Sequence, residues 1–207
     1  MLIEKDAVVL FQGDSITDVG RDYADTASLG TGYAMLAAAW FSALYPDQHV
    51  RFLNRGISGN RVVDLQQRWQ VDCLDLQPTW LSLMIGINDV WRRYDGNDIT
   101  TTAEYADGYR ALLEQTRSRN IRLILCEPFV LHVPADRLTW HEDLDPKIQV
   151  VRQLAQEYGA LYIPFDGLFA QAATRREPSF WAEDGVHPTP AGHALMAQAW
   201  LRAVGAM

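Results

Sequence analysis

Short apolar blocks alternate with segments of helical spacing along the whole chain. Val8-Val9-Leu10-Phe11 is an unbroken apolar run with two β-branched members, the pattern of a strand buried on both faces. Gly13 ends it, and Asp14-Ser15-Ile16-Thr17-Asp18 follows with short polar side chains that favour turns and helix starts. Similar runs at 50–53, 80–85, 121–126 and 161–165 predict four more strands. Between them, 33–45 is Ala- and Leu-rich and stops at Pro46. A second helix follows Gly59-Asn60, with Val62, Val63, Leu65, Trp69 and Cys73 on its apolar side. In 102–119, Tyr105, Tyr109, Leu112 and Leu113 recur at helical spacing, and 147–158 and 191–204 complete the set. The stretch from Glu127-Pro128 to Pro146, holding Pro134, Trp140 and His141, predicts a loop over one face. Asp89 and Asp166 are expected to cap helices.

Five strand–helix alternations without a break in composition predict one α/β domain spanning residues 1–207, a doubly wound parallel sheet. With 207 residues, 48% of them hydrophobic and 21% charged, the chain can bury a sizeable core. The net charge of −8 and the absence of a basic run argue against a nucleic-acid partner, whose phosphates need clustered Lys and Arg. No apolar run approaches the ~20 residues of a membrane span, and the acidic start, Met1-Leu2-Ile3-Glu4-Lys5-Asp6, does not fit a secretory signal. Cys73 and Cys126 lack metal-site or redox-motif spacing; two lone thiols fit a reducing cytoplasm. His49, His132 and His141 are too scattered for a metal set, so neither metal nor cofactor is expected.

Three strand ends place candidates on one rim: Ser15 after the first strand, Gly56 after the second and Asn88 after the third. Ala182-Glu183-Asp184-Gly185-Val186-His187-Pro188 adds an acid three residues before a histidine. Asp184 can then hold the Nδ1–H of His187, leaving Nε2 to take a proton from Ser15. The backbone N–H groups of Ser15 and Gly56 and the Asn88 amide would bind an oxyanion. Singly, Ser15 reads as a helix cap, Gly56 as a turn, Asn88 as a strand end, and Asp184 with His187 as a surface pair. Together they supply every role of one reaction, with kcat/KM rising through a pKa near ~6.5 that the Asp184 carboxylate would raise.

Phe11-Gln12-Gly13-Asp14-Ser15, Asn54-Arg55-Gly56, Gly86-Ile87-Asn88-Asp89 and Asp184-Gly185-Val186-His187-Pro188 resemble, in order, the motif blocks of the SGNH hydrolase superfamily, the GDSL esterases. Gly-Asp-Ser-Ile stands in place of Gly-Asp-Ser-Leu. The resemblance implies a flavodoxin-like three-layer α/β/α sandwich with five parallel strands in the order 2-1-3-4-5. Gly30-Thr31-Gly32-Tyr33, Gly56-Ile57-Ser58-Gly59-Asn60, the stretch from Met84 to Asp95, and Ala191-Gly192-His193 are similar to those of bacterial acetyl-xylooligosaccharide esterases of this superfamily. That closer likeness implies a cytoplasmic serine esterase that deacetylates sugars and assembles into homo-oligomers. A lysophospholipase or thioesterase is the enzymatic alternative, and a non-catalytic carbohydrate-binding protein the non-enzymatic one.

Tyr23, Trp91 and Trp181 lie near these blocks and could stack on pyranose rings, whereas Trp69, Trp80 and Trp200 are expected to fill the core. Arg92 and Arg93 could reach substrate hydroxyls or pair with nearby acids. His193 is expected to support the site from a helix rather than act as a second base. Glu127 could line the pocket, pack or cap.

Overall fold

The computed structural model describes residues 1–207. Strands β1 (Val8–Gly13), β2 (Arg51–Asn54), β3 (Trp80–Met84), β4 (Arg122–Cys126) and β5 (Leu161–Ile163) form one parallel sheet in the order β2-β1-β3-β4-β5. The helices are α1 (Ser15–Asp18), α2 (Tyr33–Leu44), α3 (Val62–Asp72), α4 (Ile87–Asp95), α5 (Thr102–Arg117), α6 (His141–Tyr158), α7 (Phe165–Ala173), α8 (Pro178–Trp181) and α9 (Pro190–Ala203). This is the α/β architecture that the alternation predicts, in the strand order that the resemblance implies.

Because successive strand residues face opposite ways, each strand feeds two cores. Val9 and Phe11 of β1 enter the layer that holds Phe41 of α2, Phe169 of α7 and Trp200 of α9. Leu10 enters the opposite layer, with Leu65 and Trp69 of α3, Tyr109 of α5 and Leu154 of α6. Phe11 and Trp200 are fully buried with ring centroids 5.3 Å apart, and the indole N–H of Trp200 donates to Ser82 Oγ at 3.1 Å. Trp69 and Trp80 are buried as expected. No helix is long and apolar enough to cross a membrane.

Four local expectations are corrected. Val63 is exposed; the apolar stripe of α3 runs through Val62, Leu65 and Trp69 only. Residues 135–140 form a 3-10 turn, and α6 begins at His141 rather than after Pro146. Pro146 is exposed, as is Glu142 four residues earlier, which places the missing helical hydrogen bond on the exposed side of α6 near its start. Asp89 does not cap its own helix: it lies buried inside α4, and its carboxylate accepts the N–H of Val62 at the start of α3. Burial pushes the Asp89 pKa up to about 7. Asp166 likewise lies inside α7, where its own N–H donates to buried Glu127. Glu127 also binds Arg152, which makes it a cap and an ion-pair partner.

Candidate active site

The chain leaves β1 toward β2 on one side and returns to β3 on the other, so the carboxyl ends of β1 and β3 border the switch point of the sheet. Ser15 sits there as the first residue of α1. The cap is the preceding residue: Asp14 is buried and accepts the Ile16 N–H at 3.0 Å. Ser15 Oγ is therefore free to face outward, 2.9 Å from His187 Nε2. Burial raises the pKa of Asp14 to about 7.

His187 is fixed from its other side by Asp184. One carboxylate oxygen, Oδ1, accepts the backbone N–H groups of Val186 (3.0 Å) and His187 (2.8 Å), and Oδ2 accepts the ring Nδ1–H at 2.7 Å. An ionised carboxylate only accepts, so the neutral ring carries its proton on Nδ1 and offers a lone pair at Nε2. Burial works to raise the Asp184 pKa, but these hydrogen bonds outweigh it and hold the acid well below the usual carboxylate range. The bond to Asp184 raises the His187 pKa above its ordinary value, against the effect of burial. The loop itself is clamped by an Ala182–Pro188 bridge and by Leu131 N–H donating to Gly185 O at 2.8 Å.

Three N–H groups beyond the carboxyl ends of β1, β2 and β3 keep a hydrogen free of any acceptor in the chain, one of them not where the sequence places its donor. The Ser15 backbone N–H makes no hydrogen bond within the chain. Asn88, on the first turn of α4, donates one amide hydrogen to Asn60 O at 3.0 Å and keeps the second free. The Gly56 N–H, in contrast, is occupied by Asn54 Oδ1 at 2.9 Å. Gly56 is needed for close approach, since a Cβ there would lie 2.7 Å from the Asp18 nitrogen. The free donor in this loop is Gly59, whose N–H has no acceptor in the chain. It adopts φ +81, a left-handed conformation suited to glycine, and faces the α4 side chain of Arg92. The signal was the Gly59-Asn60 pair, with Asn60 bound to the Asn88 amide.

The GDSL-like lipase/acylhydrolase family model matches residues 11–195, which contain all of these groups. The chain belongs to this family. An acetylxylan esterase of Geobacillus stearothermophilus is 38% identical over 205 residues, covering 95% of this chain and 93% of the relative. A crystal structure of that esterase superposes with a TM-score of 0.90 at 37% identity, covering 99% of this chain and 97% of the other. Its solved catalytic mutants include replacements of a serine, an aspartate and a histidine by alanine. An α/β hydrolase enzyme from the metagenome of Lake Arreo, Spain, superposes at a TM-score of 0.93 with 32% identity, covering 100% of this chain and 98% of the other.

In this GDSL-like acylhydrolase the candidate aromatic residues divide. Trp91 comes beside the histidine, with ring centroids 5.9 Å apart. Its ring is already engaged: the Arg137 guanidinium sits 4.6 Å from its centroid, and Trp140 meets it edge-on. Trp91 is thus a wall of the site with little free face. Trp181 packs against the α9-side core and edge-on to Phe180, which makes it a packing residue rather than a sugar platform. Tyr23 is exposed, yet its hydroxyl is tied to Asp18 and Arg21 covers its ring. Arg92 and Arg93 pair with Asp95 and Asp143. His193 is buried and accepts the Tyr33 N–H at 3.2 Å; burial lowers its pKa to about 4, so it stays neutral and fixes the start of α2. Arg137 and Trp140 were not legible as site residues, because their stretch reads as an irregular loop.

Proposed function

We propose that this chain is a serine esterase that removes acetyl groups from short xylose-based sugars. The observation that carries the reading is the continuous chain from Ser15 Oγ through the His187 ring to Asp184. Ser15 attacks the acetyl carbonyl while His187 takes its proton, and the N–H groups of Ser15 and Gly59 with the Asn88 amide hold the oxyanion. The tetrahedral intermediate collapses, and His187 returns the proton to the departing sugar oxygen. Water, deprotonated by His187, then attacks the acetyl-serine, and acetate leaves as Ser15 regains its proton. The activity named for the Geobacillus relative supports the acetylated sugar as substrate.

The activity named for the Geobacillus relative also favours a short acyl group. A cleft of about 380 Å³ lined by Glu183, Asp184, His187, Pro188, Thr189 and Pro190 reaches the histidine but does not include Ser15. The larger cavity, about 510 Å³, lies between α3 and α5 and includes none of the three chemical groups. A pocket too short for a long chain rejects it by clash, whereas each methylene it accepts contributes only ~1–3 kcal/mol. Among p-nitrophenyl esters, kcat/KM is expected to fall steeply from acetate through butyrate to octanoate. Octanoate preferred over acetate would favour the lipolytic alternative.

The same assay reads the base. His187 must be neutral to accept a proton, and its pKa is raised, so kcat/KM rises with pH through a midpoint above the ordinary histidine value. A midpoint below that value would remove His187 from the role. The buried free thiols Cys73 and Cys126 support a reducing, cytoplasmic setting. Trp40 and Leu44, exposed one turn apart on α2, support self-association.

A further inference from the structure

Asp18 closes α1 one turn after Ser15, is only 5% exposed, and has no task in the hydrolytic steps above. Its carboxylate nevertheless gathers four donors. Oδ2 accepts the Ser58 N–H at 2.9 Å, the Ser58 hydroxyl at 2.6 Å and the Tyr23 hydroxyl at 2.6 Å. Oδ1 accepts the Arg21 Nε–H at 3.2 Å, and Arg21 Nη2 donates in turn to Gly56 O at 2.9 Å. One buried carboxylate therefore holds the turn from Gly56 to Gly59 at two points, directly at Ser58 and through Arg21 at Gly56. Its own N–H donates to Asp14 O at 2.9 Å, which fastens it to the short helix that bears Ser15.

We propose that Asp18 is a positioning residue for the oxyanion site, fixing the Ser58–Gly59 peptide so that the Gly59 N–H is aimed where charge develops on the substrate. The inference rests on reading Gly59 as an oxyanion donor. The geometry explains why a charged group is placed there. Ser58 hangs on Asp18 by both its backbone and its side chain, and the peptide carrying the Gly59 N–H begins at the Ser58 carbonyl carbon. Preorganised donors lose most of their effect when they can swing away, because the field must then be rebuilt in each turnover. Burial alone would raise the Asp18 pKa, but the Ser58 and Tyr23 hydrogen bonds outweigh it and keep the group ionised.

The test uses the full chain and p-nitrophenyl acetate. Asp18→Asn keeps the shape but removes the charge and the partner of Arg21. The expected result is a kcat lower by roughly 10–10²-fold with KM within about twofold, the split of an interaction used in the transition state. Asn88→Ala is expected to lower kcat by roughly 10²–10³-fold. The double variant should lose about tenfold less than the product of the two, because both damage the same oxyanion site. Ser58→Ala, which keeps the backbone bond to Asp18, should lose less than Asp18→Asn, and its kcat loss still decides the matter if Asp18→Asn does not fold. A folded Asp18→Asn with unchanged kcat, an equal loss in KM, or a fully multiplicative double variant would overturn the proposal, as would an unchanged kcat in Ser58→Ala. If Asn88→Ala also leaves kcat untouched, the oxyanion reading itself fails; a large loss there with none at Asp18 or Ser58 refutes the positioning role alone.

Discussion

Alanine in place of Ser15 leaves a folded protein whose ester hydrolysis is slower by about 10⁶-fold in kcat, the scale on which a serine nucleophile and its base act as a unit. The fold should tolerate the change because the helix cap is Asp14, not Ser15, and the Ile16 N–H keeps its acceptor. Only the bond to His187 Nε2 is lost. Thermal unfolding by circular dichroism checks the first half of this expectation, and the rate on p-nitrophenyl acetate the second. Substantial turnover in the purified variant would place the nucleophile elsewhere. The other candidates are poorly placed: the Ser58 hydroxyl is engaged by Asp18, Ser82 is buried against Trp200, and the Ser28 oxygen accepts the Asp22 N–H.

Asp184→Asn has the next largest effect, a fall in kcat of roughly 10⁴-fold with the loop intact. An asparagine oxygen can still accept the backbone N–H groups of Val186 and His187, as Asp184 Oδ1 does. Its amide would then meet His187 Nδ1, to which Asp184 Oδ2 is now bonded. A donor facing Nδ1 drives the ring proton to Nε2, where the base needs a lone pair. With the carboxylate gone, the raised His187 pKa returns toward its ordinary value, so the remaining activity should rise at lower pH than in the parent. A kcat within about tenfold of the parent would mean that the acid does not set the tautomer.

The sheet was legible because its central strands β1, β3 and β4 are largely apolar on both faces; Val8 to Phe11 can be little else. Ser15, Asp184 and His187 were legible because their chemistry is local: a polar break after a strand, and an acid within one turn of a histidine. The choice between Gly56 and Gly59 was not. Both lie in one glycine-containing loop, and only the Asn54 side chain, which takes the Gly56 N–H, separates a packing glycine from one with a free donor. Asp89 and Asp166 were misplaced for a related reason. Sequence shows a short acid at a helix start, but not that Asp89 caps a different helix, or that Glu127 binds the N–H of Asp166. Trp91 illustrates a third limit, because its position near Asn88 was readable while the Arg137 that covers it comes from a distant segment.

Acetate release from acetylated xylobiose, followed by proton NMR with the parent protein and with Ser15→Ala side by side, tests the deacetylase assignment most directly. The expected result is steady release by the parent, with a higher kcat/KM than for p-nitrophenyl octanoate, and release slower by about 10⁶-fold in kcat by the variant. An intact acetylated xylobiose in the presence of a parent protein that cleaves octanoate, or equal release by parent and variant, would contradict it.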